Sequence, residues 1–452
     1  MPRHDSLSRA PSRTATAVAV LALGCAAARL AAQTSLTPEE RRVRSAIAAL
    51  RDEQVAYLQR VVDIPSSTPN LEGVRRVGSV FRASLDSLGF TTHWVPMPDS
   101  MRRAGHLIAE HRGRPGAVRM VLIGHFDTVV EPDGPSWVRE DSTARGIGAA
   151  DMKGGDVIIL HALKALRSAG ALQDLNLTVV FTGDEEAVGR PIDVARAALL
   201  DAARRSDVAL AFEGGNRSDA TVARRGSSSW RLTATGRQAH SAGIFGRGAG
   251  FGAIYELARV LDAFRTQLAG EQGLTFNVAA IAGGTDVTYD TAAGSWTAAG
   301  KGNVVPRTAL AHGDLRFVTP EQLERTRTRM REIVAQHLPV TDAEIGFADA
   351  YPAMPPTPGG ARILALYDAA SRDLGYGAVT ALDPERRGAG DLSFVAPLID
   401  GMDGLGALGS GAHAPGERIN LSALPMQTER AALLMLRLGA RPASEFSRPP
   451  SP

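Results

Sequence analysis

Three things are scarce in this chain of 452 residues: it has one cysteine, Cys25, three lysines (Lys153, Lys164 and Lys301) and 5% aromatic side chains. With Cys25 so close to the N-terminus, the body of the chain has no disulfide framework, no thiolate metal site and no cysteine nucleophile. Any metal site in it must use nitrogen and oxygen. Arginine carries nearly all the positive charge. The formal net charge of +2 offers no basic field for nucleic acid, and there is no acidic tail. With 44% hydrophobic and 22% charged residues, the chain is neither disordered nor collagen-like, and two domains are the default for its length.

Long hydrophobic runs are also lacking. The most apolar stretch, Ala15 to Ala28, is too short to span a bilayer at full thickness, but behind Arg3, Arg9 and Arg13 it has the form of a signal-peptide core. The expectation is an exported protein, periplasmic or secreted, that loses residues 1–32 by cleavage after Ala28 or Ala32. It would keep no transmembrane span and carry a mature charge of about −1. The alternative is a lipid anchor on Cys25, which Ala22-Leu23-Gly24 suits poorly.

Beyond the leader, Thr37-Pro38-Glu39-Glu40 reads as a helix start running to about Val62, followed by an amphipathic stretch from Leu71 to Leu88. Apolar β-rich segments come next, at His106–Glu110 and Val118–Ile123. Helix and strand signals then alternate through helix Gly155–Ser168, strand Leu175–Thr182, helix Ile192–Arg205 and strand Val208–Phe212. This is the signature of a doubly wound, mostly parallel α/β sheet over residues 33–220. Residues 221–352 change to β-α-β-β-α-β order: strand Ser228–Ala234, helix Gly252–Leu268, strands near Thr275–Ala280 and at Ala309–Phe317, helix Pro320–His337 and a strand near Ala343–Phe347. That order predicts an inserted ferredoxin-like α+β domain. The first fold resumes over 353–440, with helix Gly360–Leu374, strand Gly404–Leu408 and a closing helix from about Leu421 to Leu438. The Pro- and Ser-rich residues 441–452 are expected to be disordered.

Ligands of open α/β sheets bind at the carboxyl ends of the strands. Here His125 and Asp127 follow the strand ending at Ile123, Asp184-Glu185-Glu186 follows Thr182, Glu213 follows Phe212, and His413 follows the strand ending near Leu408. Asp151-Met152-Lys153-Gly154-Gly155 stands at a loop-to-helix junction. Alone, Asp151 reads as an N-cap and Glu185-Glu186 as a solvated helix start. Together, so many carboxylates would raise one another's pKa values unless cations were present. Two divalent metal ions are the economical solution, and nitrogen and oxygen ligands suit Zn2+, with Co2+ or Mn2+ as substitutes.

His125-x-Asp127, Asp151-Met152-Lys153-Gly154-Gly155, Glu185-Glu186, Glu213 and His413 together resemble the co-catalytic dinuclear zinc metallopeptidases, the family of glutamate carboxypeptidase, aminoacylase, acetylornithine deacetylase and succinyl-diaminopimelate desuccinylase. The resemblance covers nearly the whole mature chain. It implies Asp151 as a carboxylate bridging two metals, His125 and Glu213 completing one site, and Glu186 and His413 the other. It implies a cis Asp151-Met152 peptide, Asp127 on the far nitrogen of His125, and Glu185 as general base and acid.

In the inserted domain, Gly236-Arg237-Gln238-Ala239-His240-Ser241 resembles the family's lid-histidine loop. Gly302-Asn303-Val304-Val305-Pro306 and Asp314-Leu315-Arg316 resemble its substrate-binding segment. His240 would then donate to the developing oxyanion with help from Asn303, and Arg316 would pair with a substrate carboxylate. A homodimer through the lid is implied, with the histidine crossing between subunits. Two features depart from the family. Residues 285–302, including Tyr289 and Trp296, separate Gly283-Gly284 from Asn303, and Tyr351-Pro352 stands where glutamate-specific relatives tend to offer an arginine. The expected activity is cleavage of an amide or peptide bond next to a free carboxylate, by a carboxypeptidase or dipeptidase. N-acyl amino acid deacylation on the same metals is the alternative, and a non-catalytic metal-binding protein the third reading.

Overall fold

The computed structural model describes residues 36–290 and 295–446. The signal-peptide reading with Cys25, and the tail beyond Phe446, lie outside the described residues. The central sheet has six strands in the spatial order Thr91–Val95, His106–His111, Asn176–Thr182, Arg119–His125, Val208–Ala211 and Asp400–Met402. The last four are joined by parallel ladders, and His106–His111 runs antiparallel to both its neighbours.

Alternate residues of Arg119–His125 enter opposite cores. Met120 and Leu122 pack under the helices Leu71–Ser87, Lys153–Ser168 and Leu424–Gly439, while Val121 and Ile123 pack under Ala197–Arg204 and Leu392–Val395. Burial on both faces is the reason these strands are continuous apolar runs. The first helix, Pro38–Ala49, opens with the expected capping box: Thr37 accepts from the Glu40 amide at 3.1 Å, and the Glu40 carboxylate accepts from the Thr37 amide at 2.7 Å.

A second sheet is antiparallel throughout. In chain order its strands are Gly226–Gly236, Thr275–Phe276 with Ala280–Gly284, Thr308–Phe317 and Thr341–Tyr351, and in space they run fourth, first, third, second. Helices Ala253–Leu268 and Pro320–Val334 cover one face, closing a separate core around Trp230, Leu257, Phe264 and Met330. This is the ferredoxin-like order. The connections to the central sheet run side by side, with Arg224 and Met354 exchanging both backbone hydrogen bonds at 2.8 and 2.9 Å.

Several elements differ from expectation. The helix expected to reach Val62 is two, Pro38–Ala49 and Arg51–Val62, parted at Leu50, where φ −91° and ψ 1° leave the helical region. Ile192–Arg205 divides at Arg196, whose side chain is fully buried. Thr91–Val95 is an additional edge strand, polar enough to have escaped an apolar pattern. The last strand of the central sheet is Asp400–Met402, not Gly404–Leu408. Residues 404–408 press against the end of Val208–Ala211, where a Cβ on Gly406 would stand 1.9 Å from the Phe212 carbonyl oxygen. Residues 285–302 contain a separate antiparallel strand pair, Asp286–Asp290 with Ser295–Ala299, on which the rings of Tyr289 and Trp296 meet at a tilt, 4.5 Å apart. The expected disorder beyond residue 440 does not begin there, because Arg441 and Ala443 bond to Val118 and Gly116 and Phe446 is buried in the main core.

Candidate metal centre

Three strand ends of the central sheet deliver His125, Glu185 with Glu186, and Glu213. His125 is the last residue of Arg119–His125, and its ring is buried. Its Nδ1 donates to the Asp127 backbone carbonyl at 3.0 Å and lies 3.4 Å from the Asp127 carboxylate. Asp127 therefore does more than the expected support of His125. Its carboxylate accepts from the Glu185 and Glu186 amides at 3.0 and 3.1 Å and from Thr68 Oγ1 at 2.6 Å. It sets the backbone of the loop after Asn176–Thr182 as well as one imidazole.

The opposite nitrogen, His125 Nε2, is buried without a hydrogen-bond partner. It faces Asp151 Oδ1 at 3.5 Å, Glu213 Oε1 at 3.6 Å and Glu185 Oε2 at 4.0 Å. The other oxygen of Asp151 lies 3.1 Å from His413 Nε2, which is 3.2 Å from Glu186 Oε2. Thus Asp151 turns one oxygen to each histidine, and the Asp151-Met152 peptide is cis. His413 does not follow a central strand, as was expected. It sits with φ 63° in the loop between short strands Gly409–Ser410 and Arg418–Asn420.

Sequence reasoning missed the residue that holds Asp151 in place. The buried Glu417 carboxylate accepts from the amides of Gly148, Ala150 and Asp151 at 2.7, 2.7 and 2.9 Å. No motif signals it, since the loops it joins are far apart in sequence. Also missed was Arg196, buried between Asp184 (2.5 Å) and Asp391 (2.7 Å), where Asp391 also accepts from Thr182 at 2.7 Å. This network anchors the loop that carries Glu185.

The electrostatics call for cations. Burial, reinforced by neighbouring carboxylates, pushes Glu185 well above its ordinary range, Glu186 to about 8 and Glu213 to about 7. Burial would also raise Asp151, but the imidazoles of His125 and His413 beside it outweigh that and hold it far below the usual carboxylate range. His413 is raised to about 9 by its bond to Asp151, against its own partial burial. The donor set fits two divalent ions. In each of the groups His125–Asp151–Glu213 and Asp151–Glu186–His413, the ligand atoms lie within 4.8 Å of one another. His125 with Glu185 and Glu186 meets the same distance, and the unpartnered His125 Nε2 is the orphan that such an ion would satisfy.

A cavity of about 510 Å3 opens over the carboxylates. His240, Asn303 and Arg316 are not brought into it within this chain. His240 is exposed, and its Nδ1 accepts from the Ala242 amide at 3.1 Å. The adjacent Ser241 amide donates to the Asn303 carbonyl at 2.9 Å, which sets the two expected substrate residues side by side. Arg316 is bonded to Asp314 at 2.8 Å and lines an adjoining cavity.

A family model for peptidase family M20/M25/M40 matches residues 121–437. Carboxypeptidase G2 of Pseudomonas sp. (strain RS-16) is 28% identical over 422 residues, covering 87% of this chain and 91% of that protein. Succinyl-diaminopimelate desuccinylase of Acidiphilium cryptum (strain JF-5) is 27% identical over 376 residues, covering 79% and 91%. Among solved structures, the YXEP protein of Bacillus subtilis, described as a dinuclear metal-binding peptidase, shares the fold at TM-score 0.59 and 14% identity, over 86% of this chain and 98% of that one.

Proposed function

The chain belongs to peptidase family M20/M25/M40, a family of hydrolases, and from that premise we propose that it is an exported dinuclear zinc enzyme cleaving an amide bond next to a free carboxylate, as a carboxypeptidase or dipeptidase. The observation that carries this reading is the placement of Asp151, with Oδ1 3.5 Å from His125 and Oδ2 3.1 Å from His413. His125, Asp151 and Glu213 would hold one ion, and Asp151, Glu186 and His413 the other. Two such ions supply Lewis acidity and make a water nucleophilic near neutral pH.

The chain's own groups do the rest. Glu185 takes the proton that water loses as its oxygen bonds to the carbonyl carbon, then gives it to the amide nitrogen as the carbon–nitrogen bond breaks. The products are a carboxylate and an amine. Its raised pKa and its place beside His125 suit both transfers. Asp127 holds the Glu185 and Glu186 amides in register. His240, whose Nδ1 is an acceptor, carries its proton on Nε2 and is the donor for the carbonyl oxygen, with Asn303 beside it.

Because His240 stands outside the cavity, the site is completed by closure of the small domain or by a second copy of the chain. The exposed Phe245, Ile254, Tyr255 and Ile281 of that domain support a homodimer there. The similarity to a desuccinylase favours N-acyl amino acid deacylation as the second reading. Metal-analysed protein assayed on dipeptides, folyl-glutamates and N-acyl amino acids separates the readings. Faster cleavage of peptides than of acyl amides supports the first, the reverse order the second, and two bound metals with no hydrolysis would leave only a binding role.

A further inference from the structure

The motif around Asp151 contains a lysine to which the metal centre gives no task. Lys153 is the first residue of the helix Lys153–Ser168 and is 1% exposed, so an ammonium is held out of water at the helix end that disfavours positive charge. Its Nζ donates to the Ile64 carbonyl oxygen at 2.9 Å. Ile64 begins a segment, residues 64–70, that lies along residues 126–131.

The two segments are bonded repeatedly. Ser66 Oγ donates to the Phe126 carbonyl at 2.9 Å, the Thr128 amide to the Ser66 carbonyl at 3.0 Å, and the Thr68 amide to the Thr128 carbonyl at 3.2 Å. The Glu131 carboxylate accepts from the Ser67 amide at 2.7 Å and from Asn70 Nδ2 at 2.6 Å. Ser66, Ser67 and Thr68 are buried. This register delivers the Thr68 hydroxyl to Asp127 Oδ2 at 2.6 Å, a shorter bond than those from the Glu185 and Glu186 amides at 3.0 and 3.1 Å. A carboxylate only accepts, so the hydroxyl is the donor. Residues 64–70 are thus tied at one end to the helix that follows Asp151 and close in the middle on the carboxylate that sets the loop of Glu185 and Glu186.

We propose that Thr68 and Lys153 are positioning residues of the metal centre, and that residues 64–70 form a clamp that holds Asp127, and with it His125, Glu185 and Glu186, in register with Asp151. This rests on the metal-hydrolase reading of the site and adds the residues that keep its donors together.

Kinetics and metal retention together test the clamp. Thr68→Val keeps the shape of the side chain and removes the donor. Its kcat should fall about ten- to a hundredfold, as for loss of a hydrogen bond to a charged group, with little change in KM. A chelator should strip its metal at about tenfold lower concentration. Thr68→Ser keeps the hydroxyl and should restore both. Lys153→Met keeps most of the stem, removes the ammonium and should lower kcat in the same way. Combined with Thr68→Val, its effect should be smaller than the product of the two single effects, because both act through one segment. Unaltered kcat and metal retention in Thr68→Val, a Thr68→Ser protein no better than Thr68→Val, or a double variant whose effects multiply overturns the proposal. If Lys153→Met does not fold, the Thr68 pair decides alone. Failure of the unaltered, metal-loaded protein on every amide tested would retire the hydrolase reading and leave the clamp to be judged on metal retention. Hydrolysis and metal retention in Thr68→Val equal to those of the unaltered protein would retire the clamp alone.

Discussion

The Tyr351 hydroxyl donates to the Glu185 carbonyl oxygen at 2.9 Å, joining the last residue of the small sheet's edge strand to the backbone of the proposed base. The same ring packs on Phe394 at 5.0 Å. Where the fold runs from one sheet to the other, this hydroxyl therefore adds to the holds that Asp127 and Arg196 keep on the loop of the proposed base. Tyr351→Phe keeps the ring contact and removes the donor. The expected result is a kcat lower by about tenfold, from the loss of one buried hydrogen bond, with KM and metal content little changed. Equal kcat values for the two proteins would make the bond incidental to function.

Metal content separates ligands from base. Asp151→Ala should empty or scramble both sites, whereas Glu213→Ala and His413→Ala should each weaken mainly one. Glu185→Gln keeps the side chain's size and should retain about two metals per chain while turnover drops by roughly two to four decades. Elemental analysis decides each case. Two tightly held ions in Asp151→Ala would end its bridging assignment, and metal loss in Glu185→Gln would make that residue a ligand, as its proximity to His125 and Glu186 allows.

The residues at the strand ends were legible because two-sided burial writes an apolar run and the residue after the run is forced into the crevice. His125, Glu185, Glu186 and Glu213 all follow from that rule. His413 lies in a different setting from the one expected: Gly404 to Leu408 is apolar for close packing under the site, which a strand pattern imitates. Glu417, Arg196 and Asp391 were invisible because their work is to tie together loops distant in sequence, and no local pattern encodes that.

The Arg196 network should behave as a buried ion cluster. Its guanidinium lies at 2.5 Å from Asp184 and 2.7 Å from Asp391, all three being buried. Arg196→Met would strand two carboxylates without their counter-charge, so unfolding should become easier by about 3–5 kcal/mol. Thermal denaturation at neutral pH measures the loss. A shift within the error of repeat scans would mean that the carboxylates protonate or hydrate at little cost.

Acid sensitivity should show a contribution from Glu53. A bond from His161 at 2.9 Å, opposed by partial burial and assisted by Lys164 at 2.6 Å, lowers its pKa from 4.5 to about 2. A depressed carboxylate stabilises the fold above its unfolded pKa and loses that contribution as pH falls toward the folded one. The pair is 44% exposed on the Glu53 side, so screening limits the effect to about 1 kcal/mol or less. Glu53→Gln should melt lower than the unaltered protein at neutral pH, and the gap should narrow between about pH 5 and 3. A gap that stays constant over this range would exclude the linkage.

His240 decides whether one chain holds a complete site. It is exposed, its Nδ1 is taken by the Ala242 amide, and it does not line the cavity over the carboxylates. If it reaches the substrate only on closure or from a second copy, it acts in the transition state more than in binding. His240→Ala should then lower kcat by roughly two to three decades with a modest change in KM, as for loss of one oxyanion donor. Action across a dimer adds a sharper expectation. Mixing inactive His240→Ala with inactive Glu185→Gln protein should restore part of the activity, because some mixed dimers pair an intact metal centre and base with an intact histidine from the other chain. No recovery, with subunit exchange shown independently, would leave His240 serving its own chain's site or none.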